Sequence, residues 1–128
     1  MKEQFLPYEE SLTLKKLGFK EDCLARHRKK QFQFYVAIGP YDYNTRPISE
    51  TDISAPLYQQ AFKWFRDTHK LNGQIAYCEY GIKSENSWSF TLDNPTGEQF
   101  WEGKFKSYEA AELSCIRKLI KIVKDDNN

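Results

Sequence analysis

The side chains best suited to nucleophilic, acid–base or metal chemistry in this chain are two histidines, His27 and His69, and three cysteines, Cys23, Cys78 and Cys115. Zinc sites gather such ligands at close spacing, roughly two to five residues apart. These five show no such spacing. The cysteines are odd in number, far apart and form no C-x-x-C, so neither a disulfide framework nor a zinc site is expected. A Cys–His pair can meet in space rather than in sequence. Yet Cys78 and Cys115 lie in apolar patterns, where a thiol is inert packing. Cys23, beside acids and bases, is expected nearer the surface. His69 falls at a helix end, where an imidazole suits the dipole. There is no glycine-rich phosphate loop and no nucleophile elbow. The expectation is a protein without catalytic residues, metal or cofactor.

Two stretches suggest binding instead. Arg26-His27-Arg28-Lys29-Lys30 is the densest positive run. It reads either as a solvated approach to a strand or as an anchor for phosphate or an acidic partner. Tyr41-Asp42-Tyr43-Asn44-Thr45-Arg46 combines tyrosines with an arginine, types enriched at binding hot spots. It reads either as a crossing loop whose tyrosines cover the core or as a recognition loop. The candidate binding residues are therefore Tyr41, Tyr43 and Arg46, assisted by Arg28 and Lys30. A seven-residue strand between run and loop spans roughly 23 Å. The two share a surface only if the ligand is long or the chain doubles back.

Composition bounds what can position these residues. The chain has 128 residues, 40% hydrophobic and 16% aromatic, enough for one domain with a real core. A single domain over 1–124 with a disordered tail over 125–128 is expected. Nineteen basic and 18 acidic residues give a net charge of +1, which disfavours a nucleic-acid binder. Met1-Lys2-Glu3-Gln4 precedes no long apolar run, so no signal peptide is expected, and no stretch approaches the ~18 apolar residues of a membrane span. An intracellular, cytoplasmic protein is expected.

Pro7 to Phe19 reads as a helix. Acids at Glu9 and Glu10 suit its start, lysines at Lys15 and Lys16 its end, and Gly18 a left-handed stop with Phe19 folding back on Leu14. Phe32, Phe34, Val36 and Ile38 alternate as one face of a strand ended by Gly39-Pro40. Residues 39–53 form a long connection, a binding loop or the host of a short strand. Ser54-Ala55-Pro56 opens a second helix to about His69, with Leu57, Ala61, Trp64 and Phe65 as its buried stripe. Strands follow at about 74–82, 87–92 and 98–105, with turns at Lys83-Ser84-Glu85-Asn86 and Asp93-Asn94-Pro95-Thr96-Gly97. Expected shared faces are Ala76, Cys78, Tyr80 and Ile82; Trp88, Phe90 and Leu92; and Trp101 with Phe105. Tyr77, Glu79, Thr91, Phe100, Glu102 and Lys104 then face the other way, either as a face covered by the N-terminal helix or another subunit or as a second binding surface. Ser107 caps a last helix to Lys124. The fold class is α+β, an antiparallel sheet packed against helices.

The helix-strand-strand-strand-helix order of residues 54–124 resembles the double-stranded RNA-binding fold. That family grips phosphates with lysines at the start of its last helix. Here Ser107, Tyr108 and Ala111 stand there with Glu109 and Glu112, and carboxylates repel phosphate. A second resemblance rests on FLPYEESLTLKKLGF (Phe5–Phe19), DISAPLYQQAFKWFR (Asp52–Arg66) and SYEAAEL (Ser107–Leu113). Together they look like a group of uncharacterised small proteins of gut-bacterial phages and prophages. That implies a phage-type accessory protein and no particular chemistry. The expected function is non-enzymatic recognition of another protein, with a nucleotide or metabolite binder or an RNA-binding module as alternatives.

Overall fold

The computed structural model describes residues 2–28, 33–78 and 87–126. The expectations for Lys29, Lys30, Phe32, Glu79, Tyr80, Ile82 and the 83–86 turn lie outside them, as do the side chains of Ile38 and Cys78. Contacts divide the chain into two units, Met1–Ala61 and Phe62–Asn128. The α+β class holds, with two separate three-stranded antiparallel sheets.

In the first unit, α1 (Tyr8–Lys16) ends as local chemistry dictates. Gly18 adopts φ +99°, its N–H reaches the Lys15 carbonyl at 3.1 Å, and the Phe19 N–H reaches Leu14 at 2.9 Å. Leu14 and Phe19 are both buried, as this stop requires. The sheet has β1 (Cys23–Arg28) at its centre, flanked by β2 (Gln33–Tyr41) and β3 (Ile53–Ser54). The basic run therefore begins inside a strand and is not an approach to one. Cys23, Ala25 and His27 alternate inward, while Arg26 and Arg28 point to the other face. The long connection does hold a short strand, β3. Phe34 packs with Phe5, Ala25 and Ala55 as expected of a buried face. Val36 does not, and is 49% exposed. Its pairing with Ala25 is the last before the register shifts to Cys23↔Tyr41, so β2 leaves its neighbour there.

Ser54-Ala55-Pro56 is extended chain and not the start of a helix. Ser54 belongs to β3, the Ala55 N–H donates to the Ala25 carbonyl, and Leu57 bridges to Phe5. Proline pushes its predecessor out of helical geometry, which favours this continuation. Helix α2 (Tyr58–His69) starts after it, with Ala61, Trp64 and Phe65 buried.

The second unit continues with β4 (Asn72–Cys78), β5 (Ser87–Asp93), β6 (Gln99–Phe105) and α3 (Tyr108–Asp126), in sheet order β4-β5-β6. The β5–β6 turn is held by Asn94, whose side-chain oxygen accepts from the Thr96 and Glu98 N–H groups, and Gly97 sits at φ +87°. Ser107 caps α3 by accepting from the Ala110 N–H at 3.1 Å. The helix runs two residues past its expected end, so Asp125 and Asp126 are helical, with Asp125 paired to Lys121 at 3.6 Å. Ala111, Cys115, Ile116, Leu119, Ile120 and Val123 form its buried stripe, and α3 lies against all three strands.

The faces of this sheet differ from expectation. Gly73, Ile75 and Tyr77 stand opposite Leu92, Phe90 and Trp88, so Tyr77 shares the helix-side face and Ala76 the open one. A Cβ on Gly73 would come within 2.9 Å of Cys115 Sγ and 3.3 Å of Phe62, which places both helices on that side. Phe100 pairs with Leu92 and Glu102 with Phe90, so both also leave the open face, and the Lys118 ammonium stands 5.2 Å over the Phe100 ring. Between Trp88 and Phe90 the register shifts, and Lys104 takes φ +68°. This bulge puts Phe105 on the helix side and leaves Trp101 59% exposed opposite Thr91, its indole lying over Gly103. Trp101 and Phe105 therefore do not share a face.

Candidate functional site

The first sheet turns an unusual face away from its apolar core. Arg26 sits between Tyr35 on β2 and Ser54 on β3, and Arg28 lies one pleat further along β1. The Arg26 guanidinium stands 4.9 Å from the Tyr35 ring centre and 5.1 Å from that of Tyr43; Arg28 stands 5.3 Å from Tyr35. A guanidinium stacks well on an aromatic face, because it is planar and weakly hydrated.

Asp52 holds this arrangement together. Its carboxylate is buried and accepts a forked pair from Arg28, Nε at 2.7 Å and a terminal nitrogen at 3.2 Å. It also accepts from the Ile48 N–H at 3.1 Å and the Ser49 N–H at 2.9 Å, closing the loop before β3. Burial alone would raise this carboxyl, but the Arg28 fork, the Ser49 N–H and the Arg26 charge outweigh it and hold it below the usual range. Arg26 Nε is buried without a hydrogen bond, and Asp52 lies 3.6 Å from it.

The start of the loop is closed the same way. Asp42 accepts from the N–H groups of Asn44 and Thr45 and from the Thr45 hydroxyl. Asn44 donates to the Phe19 carbonyl at 2.8 Å and accepts from the Ser54 N–H at 2.9 Å. Tyr43 is 2% exposed, with its N–H on Ser54 Oγ at 3.0 Å and its hydroxyl accepting from Arg26 at 3.4 Å. It belongs to the floor of the site and not to its surface. Tyr41 is half-buried against Tyr43, ring centres 4.8 Å apart, and the Arg46 guanidinium lies 4.9 Å over it. Arg46 is exposed, 4.0 Å from Asp22.

The chain doubles back, so β1 brings Arg28 under the same loop that carries Tyr43. Lys30 lies outside the described residues. The candidate binding residues named from the sequence leave out Arg26, although it heads the basic run, and Tyr35, Ile48 and Asp52. The signal for the first two was the alternation Cys23, Ala25, His27 against Arg26, Arg28, hidden because histidine there serves as a core residue.

His27 is buried, donates from Nε2 to the Leu6 carbonyl at 2.9 Å and packs on Tyr8 and Phe34. Burial holds its pKa below the ordinary value. Cys23 is 1% exposed and not near the surface. Burial pushes the thiols of Cys23 and Cys115 up to about 12, leaving both protonated and weakly nucleophilic at neutral pH. Among the described residues no group of His, Cys, Asp or Glu is placed to hold a metal ion, and no helix is long and apolar enough to cross a membrane. No protein-family model, curated protein or solved structure matches this chain.

Proposed function

We propose that this protein is a non-enzymatic binding protein that recognises another protein through the Arg–Tyr face of its first sheet. The observation that carries this reading is the Arg26 guanidinium held between Tyr35 and Tyr43 above a buried Asp52. Tyrosine and arginine dominate binding hot spots, and side chains already fixed lose little entropy on association. Beside them Tyr35 is 38% and Ile48 65% exposed, giving apolar area to bury. The charges are compensated locally, Arg28 by Asp52 and Arg46 by Asp22. That favours a protein over a nucleic acid, which needs an uncompensated positive field. The resemblance to phage-borne small proteins supports a host or viral protein inside the cell as the partner.

The test is affinity capture by the full chain from its native cells, beside a Tyr35→Ala/Ile48→Ser variant with unchanged melting temperature. The variant is expected to recover the same partner with affinity lower by about tenfold or more. Equal recovery by both proteins places the site elsewhere. Capture that falls steeply with salt and yields nucleic acid reverses the assignment.

A further inference from the structure

The open face of the second sheet carries one large ring in a polar setting. Trp101 on β6 pairs with Thr91 on β5, which pairs with Gln74 on β4, so the three form one row across the sheet. The next row, toward the β5–β6 turn, is Asn72, Asp93 and Gln99. Trp101, Gln74 and Gln99 are exposed, and Asn72, Thr91 and Asp93 are half-buried. The Trp101 indole lies over Gly103, where a Cβ would come within 2.5 Å of its Cζ2 and Cη2 atoms. Glycine at 103 therefore lets the ring settle on the backbone of its own strand, and the residue still keeps 59% of its surface in solvent.

Donors, acceptors and charge decide what such a face can hold. The amides of Asn72, Gln74 and Gln99 and the Thr91 hydroxyl each offer both donor and acceptor. Asp93 offers acceptors alone, and its Oδ1 is buried with no hydrogen-bond partner, so this row already lacks a donor. The carboxylates of Asp93 and of Glu98 in the turn stand against one cation, Lys104 at the bulge. Phosphate and nucleic acid need an uncompensated positive field, which is missing here. A protein partner needs an apolar patch at the centre of its interface, and beside Trp101 the two rows are polar throughout. A sugar ring meets both halves of this surface. The aliphatic C–H groups of one ring face carry partial positive charge and suit the negative face of the indole. The hydroxyls at the rim donate and accept, as the surrounding amides do.

We propose that this open face binds a neutral saccharide. One sugar ring stacks on Trp101, and Gln74, Thr91 and Gln99 hold the hydroxyls at its rim. The sugar has two possible sources, a free monosaccharide or a unit within a glycan chain. Strand β6 is an edge of its sheet, so a chain can continue past Trp101 without meeting another strand. All these residues belong to the second unit, and the proposal does not rest on the protein-recognition reading of the first sheet.

The experiment uses the full chain and follows the indole N–H NMR signal of Trp101, assigned with Trp101→Phe, while saturation transfer to the sugar protons gives the affinity. Glucose, galactose and N-acetylglucosamine are titrated, each as the monosaccharide and as its β-linked tetrasaccharide, with AMP as the nucleotide control. A saturable shift at Trp101 with at least one sugar is expected. Equal affinity for monosaccharide and tetrasaccharide identifies a free sugar, and tighter binding of the tetrasaccharide identifies a glycan chain. Trp101→Ala, with native circular dichroism, is expected to weaken binding by about tenfold or more, and Gln74→Ala by about threefold. Gly103→Ala keeps the indole but lifts it from the strand, and is expected to weaken binding as well. If Gly103→Ala does not fold, the exposed Trp101→Ala and Gln74→Ala carry the test. The proposal is overturned if no sugar gives a saturable shift, if AMP shifts the Trp101 signal as strongly as the best sugar, or if folded Trp101→Ala or Gly103→Ala binds as tightly as the original.

Discussion

Each unit buries a carboxylate, Asp52 in the first and Glu112 in the second, and the surroundings of the two differ. In the first unit Asp52 has Arg28 and Arg26 and two backbone N–H groups around it. In the second, burial raises the Glu112 carboxyl and the like charge of Glu109 adds to the rise. The first carboxylate is closed into a self-satisfied network, whereas burial raises the second above the ordinary carboxylate range. A satisfied network fixes shape, which suits recognition of a large partner.

The sharpest way to break that contrast is Asp52→Ala. It leaves two arginines and the Ile48 and Ser49 N–H groups without their acceptor. Stability is expected to fall by about 3 kcal/mol in urea unfolding, the low end for breaking a buried pair, since the Arg28 side chain keeps 21% of its surface exposed. The depressed carboxyl of Asp52 also sets an acid limit. Its contribution is complete above the unfolded value of about 4 and is lost as pH falls through the lower folded value.

A smaller effect separates His27 from Glu112. Burial depresses the His27 pKa, so the unfolded chain takes up a proton that the folded one refuses. Stability should fall as pH drops from about 6.5 toward the folded value, by at most about 1.4 kcal/mol per pH unit. His69 is shifted in the same direction by burial. His27→Gln should flatten part of the slope between pH 7 and 5 relative to His69→Gln (roughly the window of histidine titration), and an unchanged slope would show that His27 is not the buried neutral group described.

The smallest effect has the opposite sign. Burial raises the Glu112 carboxyl, and Glu109 adds to it. Glu112 therefore costs stability once both states are ionised, and that cost is relieved as pH falls through the raised folded value. Glu112→Gln is expected to be neutral or to stabilise by up to about 1 kcal/mol at pH 7. A loss comparable to that of Asp52→Ala would mean that Glu112 is as well partnered as Asp52, and the contrast between the units would disappear.

Features that depend on neighbours a few residues away were legible in the order of the amino acids. The end of α1 at Gly18 and Phe19, the Ser107 cap and the Asn94–Gly97 turn all follow from bonds spanning five residues or fewer. The order of helix, three strands and helix in the second unit was legible for the same reason, since each element carries its own period and its own stop signal. Which face each strand shows depends instead on long-range pairing. Tyr77 joined Trp88 because β4 pairs with β5 in one register out of two, and Trp101 parted from Phe105 because Lys104, a residue with no local preference for φ +68°, bulges β6. Strand β1 stayed hidden because a histidine filled its core position and its outward arginines looked like a solvated charge run. Their partner Asp52 lies 24 residues from Arg28. Pairing at that range is fixed by chain-wide packing and by the need to match a buried carboxylate, and no local pattern of residues carries that information.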